Sequence, residues 1–396
     1  MSESQSDGAG LTERLDRLRV EPGNLGVSIL DLVAVGVFFL FFLMLVAVGV
    51  LSLNYGMYLL GLAGMYGFMI VGLNIQWGYA GLINFSVIAF WGIGAYAAAL
   101  LTSPGSPHDL LLSPVIALVV AIVAAAIVAV LIGIPTLRLR ADYLAIASLG
   151  FAEVIRLLFL NEREWTAGSR GISGAPELFE WLPVEPAVRL LSTTASVGTA
   201  RNTVVILGLL FIGYVLVRRI HRSPWGRVIR TIRADEDLAK ALGKNTYMMK
   251  MQAFVIGCVL MAVAGWFYMY AFEYLDPGEL EPLQTFYVWV ALILGGTGSD
   301  RGSIVGAVTI VAILEGTRFL NEIDLVVALF EAIPGIALNV SAVRLLLVGL
   351  LIILVIRFRP QGILPPKEEL IWPGAAPDDS RSQERQATRE QRGVDE

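Results

Sequence analysis

Residues 113–136, SPVIALVVAIVAAAIVAVLIGIPT, contain no charged side chain. A helix of about 20 apolar residues rises the ~30 Å needed to cross the hydrocarbon of a bilayer. Runs of this kind recur along the chain, separated by short bunches of charge. No other feature limits the fold as strongly, because in hydrocarbon every backbone amide and carbonyl must be satisfied within the protein. Helices and closed β-barrels meet that demand, and the barrel is excluded because the runs are continuously apolar rather than alternating. An all-α polytopic membrane protein is expected. Composition agrees: of 396 residues, 56% are hydrophobic and 16% charged, against roughly a quarter charged in soluble domains.

Ten transmembrane helices are predicted, at residues 29–51, 56–76, 78–101, 113–136, 142–160, 202–218, 251–272, 284–297, 303–320 and 342–358. Basic residues in short flanking loops mark the cytoplasmic side. The loop between the sixth and seventh spans carries Arg218, Arg219, Arg222, Arg227, Arg230, Arg233, Lys240, Lys244 and Lys250. By parity Arg138, Arg140, Arg301, Arg357 and Arg359 fall on the same side, as do Arg14, Arg17 and Arg19. The opposite loops are acidic: 273–283 holds Glu273, Asp276, Glu279 and Glu281, and 321–331 holds Glu322, Asp324 and Glu331, neither with a basic residue. One arrangement satisfies every loop, with ten spans and both termini cytoplasmic.

Three regions follow. Residues 1–28 form a cytoplasmic N-terminal segment with no apolar core of a cleavable signal. Within it LTERLDRLR (11–19) aligns Leu11, Leu15 and Leu18 on one face, as in a helix lying on the membrane surface. Residues 29–366 are the transmembrane domain. It includes a cytoplasmic segment, 219–250, and an outer loop, 161–201, too long for a bare connection and expected to carry a docked element near 176–191. Residues 367–396 are a polar, disordered cytoplasmic tail.

Several functions are disfavoured. The single cysteine, Cys258, lies in an apolar run, so there is no disulfide framework. The two histidines, His108 and His221, are far apart in sequence, and neither is expected at membrane depth; no metal site is predicted. No G-x-x-x-x-G-K-[ST] occurs, so the chain itself binds no nucleotide through a P-loop. No nucleophile–histidine pair is available, and no enzymatic activity or nucleic-acid partner is expected.

The central polar stretch has internal order. Ser223-Pro224 reads as an N-cap followed by proline at the first helical position. Residues 224–233 then place Val228, Ile229 and Ile232 on one side and Arg227, Arg230 and Arg233 mostly on the other. Asp235 can cap a second short helix with Glu236 and Asp237 in its first turn. Leu238, Ala239, Ala241 and Leu242 would form its apolar side, and Gly243 suits the left-handed position past its end. A solvated basic loop that merely fixes topology is the plainer alternative.

ADEDLAKALGKN, with Glu236, Ala239 and Gly243 spaced E-x-x-A-x-x-x-G, resembles the cytoplasmic coupling motif of binding-protein-dependent ABC importer permeases. Further segments match in order the branched-chain amino acid permeases of LivM type: GYAGLINFSVIAFWGIGAYAAALL (78–101), LRLRADYLAIASLGFAEVIRLLFLN (137–161), SRGISG (169–174), SPWGRVIRTIRADEDLAKALG (223–243), GGTGSDRGSIVGA (295–307) and RLLLVGLLIILVIRFRPQGILP (344–365). The resemblance spans roughly residues 55–366. It implies a plasma-membrane permease subunit that moves branched-chain or other aliphatic amino acids. It also implies two ATP-binding-cassette subunits that use ATP–Mg in place of any cofactor on this chain. A second homologous permease and an extracytoplasmic substrate-binding protein complete the implied assembly. Asp235, Glu236, Asp237, Ala239 and Gly243 would then be the ATPase-coupling residues.

One departure concerns the third span. The family usually has a Ser-Leu-Gly or Ser-Phe-Gly step and then a polar residue, whereas here Asn84-Phe85-Ser86-Val87 stands in that place. Asn84 and Ser86 remain candidates for the pathway, with Gly78 and Gly81, which could break the helix and expose backbone groups. Glu153 and Arg156 lie three apart on one face of the fifth span. They either form a structural intramembrane pair or serve the pathway. Gly92 and Gly94 read as packing glycines. Gly295, Gly296 and Gly298 read as a tight inner turn, which by position could also touch a cytoplasmic partner. Two rivals stand beside the amino acid importer: a related permease for urea or short amides, and a stand-alone ion-coupled carrier. The carrier would show two repeated halves and more intramembrane charge than is present.

Overall fold

The computed structural model describes residues 52–191 and 196–316, together with 346, 348–350, 353–354, 357 and 362–364. The predicted first span, the surface helix 11–19, the acidic loop 321–331 and the tail lie outside the described residues, as does most of the tenth span.

Helix α1 (Leu53–Leu73) begins at an N-cap, Ser52, whose side chain accepts from the Tyr55 amide. It runs directly into a π-helix, Asn74–Tyr79. Helix α2 (Val87–Thr102) follows a non-helical stretch, and α3 (Pro114–Thr136) starts with Ser113 as cap and proline in the first turn. Next come α4 (Ala141–Asn161), the short α5 (Arg163–Thr166), strand β1 (Ile172–Ser173) and α6 (Glu185–Leu191). Helix α7 (Val197–Arg222) leads to α8 (Pro224–Ala234) and α9 (Glu236–Ala241). The chain continues as α10 (Thr246–Phe272), strand β2 (Tyr274–Leu275), α11 (Pro282–Gly295) and α12 (Asp300–Gly316).

Five helical segments, 53–79, 114–136, 141–161, 197–222 and 246–272, are long and apolar enough to cross a membrane; α2 and α11 are shorter apolar helices. The chain is a helical membrane protein. The predicted third span needs correction. It was placed from Gly78, but Gly78 belongs to the π-helix that extends α1, and the break runs from Ala80 to Ser86. Gly81 takes φ +70° and lies against the side chain of Arg233. The helix therefore ends and restarts where the chain from α8 packs in.

The core lies where α2 and α10 cross beside α1. Trp266, Phe254, Phe90, Tyr96 and Tyr270 are buried there. Glycine sets the distance of approach: a Cβ on Gly94 would lie 1.9 Å from the Ala262 carbonyl oxygen, and one on Gly265 only 1.8 Å from that of Trp91. Small residues that let backbones meet are the usual device of helix pairs in membranes. Helix α3 uses a related one. Ala117, Ala121, Ala125 and Ala129 are fully buried at every fourth position, and Gly133 continues the stripe against Met251. The opposite face of α3 exposes Val119, Val123, Ile127 and Leu131.

The bundle has a basic and an acidic end. At the basic end Tyr247 donates to the Ile134 carbonyl (3.1 Å) and Arg138 lies over the Tyr247 ring. At the acidic end β1 and β2 pair antiparallel, Ile172 opposite Leu275, and the Trp266 indole donates to the Pro114 carbonyl (3.0 Å). Loop 161–201 contains α5, β1 and α6, of which α6 falls within the stretch 176–191 where a docked element was expected.

Candidate functional site

Two places collect the polar residues singled out in the sequence: the corner made by α8 and α9 at the basic end, and the break before α2 with the neighbouring face of α4 and α11.

The corner is a compact structural unit. Pro224 opens α8 and Ser223 occupies the cap position, but its hydroxyl donates backward to the Ile220 carbonyl (2.6 Å) instead of capping α8. Ile229 and Ile232 are buried. Asp235 does cap α9, accepting from the Leu238 amide at 2.9 Å. Glu236 then ties α9 to the first turn of α10: its carboxylate accepts from Lys250 Nζ at 2.5 Å and Thr246 Oγ1 at 3.0 Å, and Lys240 lies 3.3 Å away. Ala239 is 1% exposed. The Gly243 amide donates to the Lys240 carbonyl and the Lys244 amide to that of Ala239, with Gly243 at φ +73°. This pair of bonds is a Schellman end. A Cβ on Gly243 would meet nothing within 4 Å, so glycine is needed there for backbone conformation and not for space.

The E-x-x-A-x-x-x-G spacing is therefore a recipe for a rigid knob: a tether, a close-packed contact and a left-handed stop. Of the four residues on the apolar side of α9 only Ala239 is buried; Leu238 and Leu242 are 52% and 65% exposed, and Ala241 is exposed too. A helix of six residues can direct only a narrow stripe inward, and Glu236 and Ala239 fill it. Asp237 is also exposed on the outer side.

Burial pushes the Glu236 carboxyl up, but its bonds to Lys250, Thr246 and Lys240 outweigh this and hold it below the ordinary glutamate value. Its contribution to the corner is fully present above the unfolded-state value of about 4.3 and is lost as pH falls through the lowered folded value. Hydrogen exchange of the Leu238–Gly243 amides is expected to quicken below that value, and Glu236→Gln to reproduce the effect at neutral pH. Equal protection of both proteins at pH 7 would show that the tether is immaterial.

At the break, Asn84 and Ser86 are fully buried. Asn84 Nδ2 donates to Gln76 Oε1 (2.8 Å), and Gln76 Nε2 donates to the Phe254 carbonyl (2.8 Å) and Cys258 Sγ (3.3 Å). The Ser86 amide and hydroxyl both donate to Asn84 Oδ1, at 2.8 and 2.5 Å. The Ile88 amide donates to Thr285 Oγ1 (3.2 Å), and the Trp289 indole to the Asn84 carbonyl (3.0 Å). These bonds satisfy polar groups of the break within the protein, as a membrane interior demands. Here Asn84 and Ser86 hold the break together, while Phe85 between them stacks on Trp289 (centroids 4.9 Å) and meets Phe286, which is 43% exposed.

Glu153 and Arg156 form a bidentate ion pair on α4, with Nε–Oε2 2.9 Å and Nη2–Oε1 2.6 Å. Their side chains are 38% and 24% exposed. Gly295 ends α11 with its Cα close to the Gly302 carbonyl, and Gly296 and Gly298 take φ +116° and +79° in the turn to α12. The chain's own residues pack on this turn: the Ile363 and Leu364 amides donate to the Leu294 and Gly295 carbonyls. Gly295 and Gly296 are buried as a result.

Sequence reasoning missed three residues. His221 is 2% exposed, and its Nδ1 lies 2.9 Å from Asp300 Oδ1. Tyr79 stacks on His221 with centroids 3.5 Å apart and donates to the same Asp300 oxygen at 3.3 Å. Only the turns between them, not any spacing, bring these residues together. Among the described residues, no group of three His, Cys, Asp or Glu is placed to hold a metal ion.

The family model described as branched-chain amino acid transport system / permease component matches residues 55–356. The high-affinity branched-chain amino acid transport system permease protein LivM of Escherichia coli is 29% identical over 316 residues, covering 74% of this chain and 66% of the relative. This chain thus spans just under two thirds of that relative's length. The probable branched-chain amino acid transport permease protein LivM of Methanocaldococcus jannaschii is 24% identical over 336 residues, or 77% and 91% of the two chains. The E. coli permease protein LivH is 27% identical over 256 residues, or 62% and 79%. No solved structure matches.

Proposed function

From its membership of the branched-chain amino acid transport permease family, to which the match over residues 55–356 assigns it, we propose that the chain is a transmembrane subunit of an ATP-driven importer of branched-chain or other aliphatic amino acids. The observation that carries this reading is the capped knob at Asp235–Gly243: it stands outside the apolar bundle, is tied down by Glu236 and Ala239, and presents Leu238 and Leu242 outward. An exposed apolar pair on a rigid base suits a partner protein better than water. In this reading the basic end is cytoplasmic, the membrane is the plasma membrane, the ten-span arrangement holds, and two ATPase subunits bind the ATP–Mg that this chain does not. Because both LivM and LivH of one organism are similar to this chain, a second, related permease is proposed as the other half of the pathway. An extracytoplasmic binding protein delivers substrate to the acidic end. The relatives' names give no support to urea, short amides or an ion-coupled carrier.

Purification through a tag on this chain tests the reading directly. Two ATPases and a sister permease are expected to accompany it; a lone, transport-competent chain would refute the importer. Calorimetry of the accompanying binding protein against leucine, isoleucine, valine and urea then identifies the substrate.

The Glu153–Arg156 pair gives a separate test. Glu153→Gln leaves the guanidinium without its bidentate partner, at a cost of about 2.5–3.5 kcal/mol where it meets hydrocarbon, and a several-fold loss of folded permease or uptake is expected. Replacing both residues by glutamine separates the roles. Recovered abundance with recovered uptake identifies a structural pair; recovered abundance without uptake places the pair in the pathway.

A further inference from the structure

We infer that the π-helix Asn74–Tyr79 is the joint through which movement of the α8–α9 knob reaches the pathway. The inference rests on the importer reading and adds the element that transmits the signal. Two contacts bind the π-helix to the knob. Arg233, in the last turn of α8, donates to the Gly78 carbonyl. At the other end of α8, Gly226 lies so close to the His221 carbonyl that a Cβ would be 1.9 Å from it, and His221 is stacked on Tyr79. Helix α8 therefore cannot tilt or slide without loading the π-helix at Gly78 and Tyr79.

Two contacts bind the same six residues to the inner turn. Asn74 Oδ1 accepts from the Gly298 amide at 2.8 Å, and Tyr79 donates to Asp300 at the start of α12. Asp300 in turn faces His221 Nδ1. A third link leads to the break. Gln76, in the middle of the π-helix, receives Asn84 Nδ2, and Asn84 anchors Ser86 and, through its carbonyl, Trp289. Phe85, on the half-open face, moves with that network.

The π-helix is also the right kind of element. Such helices are rare and favour functional sites, because their i→i+5 bonds hold one residue more per turn than an α-helix needs. Conversion to α would rotate the following residues by about 100°. That supplies two discrete arrangements instead of a continuous flexing, which is what transmission between separate sites requires. The contacts around it are suited to such a change. A buried hydrogen bond such as that between His221 and Asp300 adds modest net stability, yet losing one partner is costly. The His221 Nε2 atom has no hydrogen-bond partner among the described residues, and the imidazole meets Asp300 through Nδ1 and the Tyr79 ring through its face.

Tyr79, Asp300 and Arg233 are thus positioning residues for coupling. They are tested in the transporter purified with its accompanying subunits and reconstituted in liposomes, measuring radiolabelled leucine imported per ATP hydrolysed. Tyr79→Phe removes one hydroxyl and leaves the ring in place; Asp300→Asn and Arg233→Gln remove one charge each. For Asp300→Asn and Arg233→Gln the ratio is expected to fall about 5- to 10-fold, within the usual range of coupling between sites, with hydrolysis and subunit composition retained. Tyr79→Phe, the variant least able to disturb folding, should lower the ratio in the same direction. His221→Gln combined with Asp300→Asn should be no worse than either alone, as for one shared interaction. Uptake and hydrolysis falling together, at an unchanged ratio, would mark these residues as merely structural and overturn the inference. If the wild-type chain brings down no ATPase, the importer reading falls and this inference with it. If the wild type couples and all three variants couple equally well, only the inference falls.

Discussion

An Ala239→Trp permease is expected to insert at its normal level and to import at least about tenfold less substrate, a loss of roughly 1.4 kcal/mol or more in productive coupling. Ala239 is 1% exposed, in the stripe through which α9 meets the rest of the chain. An indole does not fit there, and overpacking of this kind costs about 1–3 kcal/mol. The six-residue helix can relieve that cost by lifting off, since its remaining tether is Glu236 with Lys250 and Thr246. The damage stays local because the knob lies outside the apolar bundle. Quantitative blotting of membranes, co-purification of the ATPases and uptake measured on the same cells check the result. Normal uptake would remove the coupling assignment. Leu238→Ser with Leu242→Ser is the complementary variant: both side chains are exposed, so only docking should suffer.

The second large effect is on folding. Gly265→Leu should leave less than about a tenth of the wild-type amount of folded protein. The clash is with backbone: a Cβ on Gly265 would lie 1.8 Å from the Trp91 carbonyl oxygen and 2.9 Å from the Ala95 amide nitrogen. Backbone inside a helix cannot step aside as a side chain can, so α2 and α10 must separate and lose the contacts of Phe90, Phe254 and Trp266. The cost exceeds the 1–3 kcal/mol of ordinary overpacking and is a large part of the 5–15 kcal/mol that holds typical proteins folded. Gly150→Ala is the control, since nothing lies within 4 Å of the added methyl; near wild-type abundance is expected, with a gain of about 0.5–1 kcal/mol from helix propensity. Detergent-solubilised yield by size-exclusion chromatography distinguishes the two, and equal yields would contradict the packing described.

Much of the architecture was legible because its causes are local. An uncharged apolar run must be helical in a membrane, so the helix at 114–136 was predicted to within a residue. Asp235 and Gly243 declare their cap and stop through side-chain and backbone chemistry that acts over a few residues, and the structure places both as expected, whereas the tether from Glu236 to Thr246 and Lys250 was not foreseen. The failures are of another kind. Which way the apolar side of α9 faces was not legible, and a very short helix has room for a single inward stripe, so Leu238 and Leu242 stay exposed. Gly78 was read as the start of a span because its neighbours continue the apolar pattern; it lies in a π-helix whose Gly78 carbonyl accepts from Arg233, more than 150 residues away.

The sequence by itself determined the helical membrane class, the basic and acidic ends and the composition of the knob, because hydrophobic length, charge bias and capping are properties of contiguous residues. Tertiary structure alone decided that His221, Tyr79 and Asp300 meet, that Asn84 and Ser86 are bonded to Gln76 and each other, and that α8 bears on the π-helix. Those contacts join parts of the chain with no common spacing, and they arise only when close approach at Gly94, Gly226 and Gly265 sets how near the helices come.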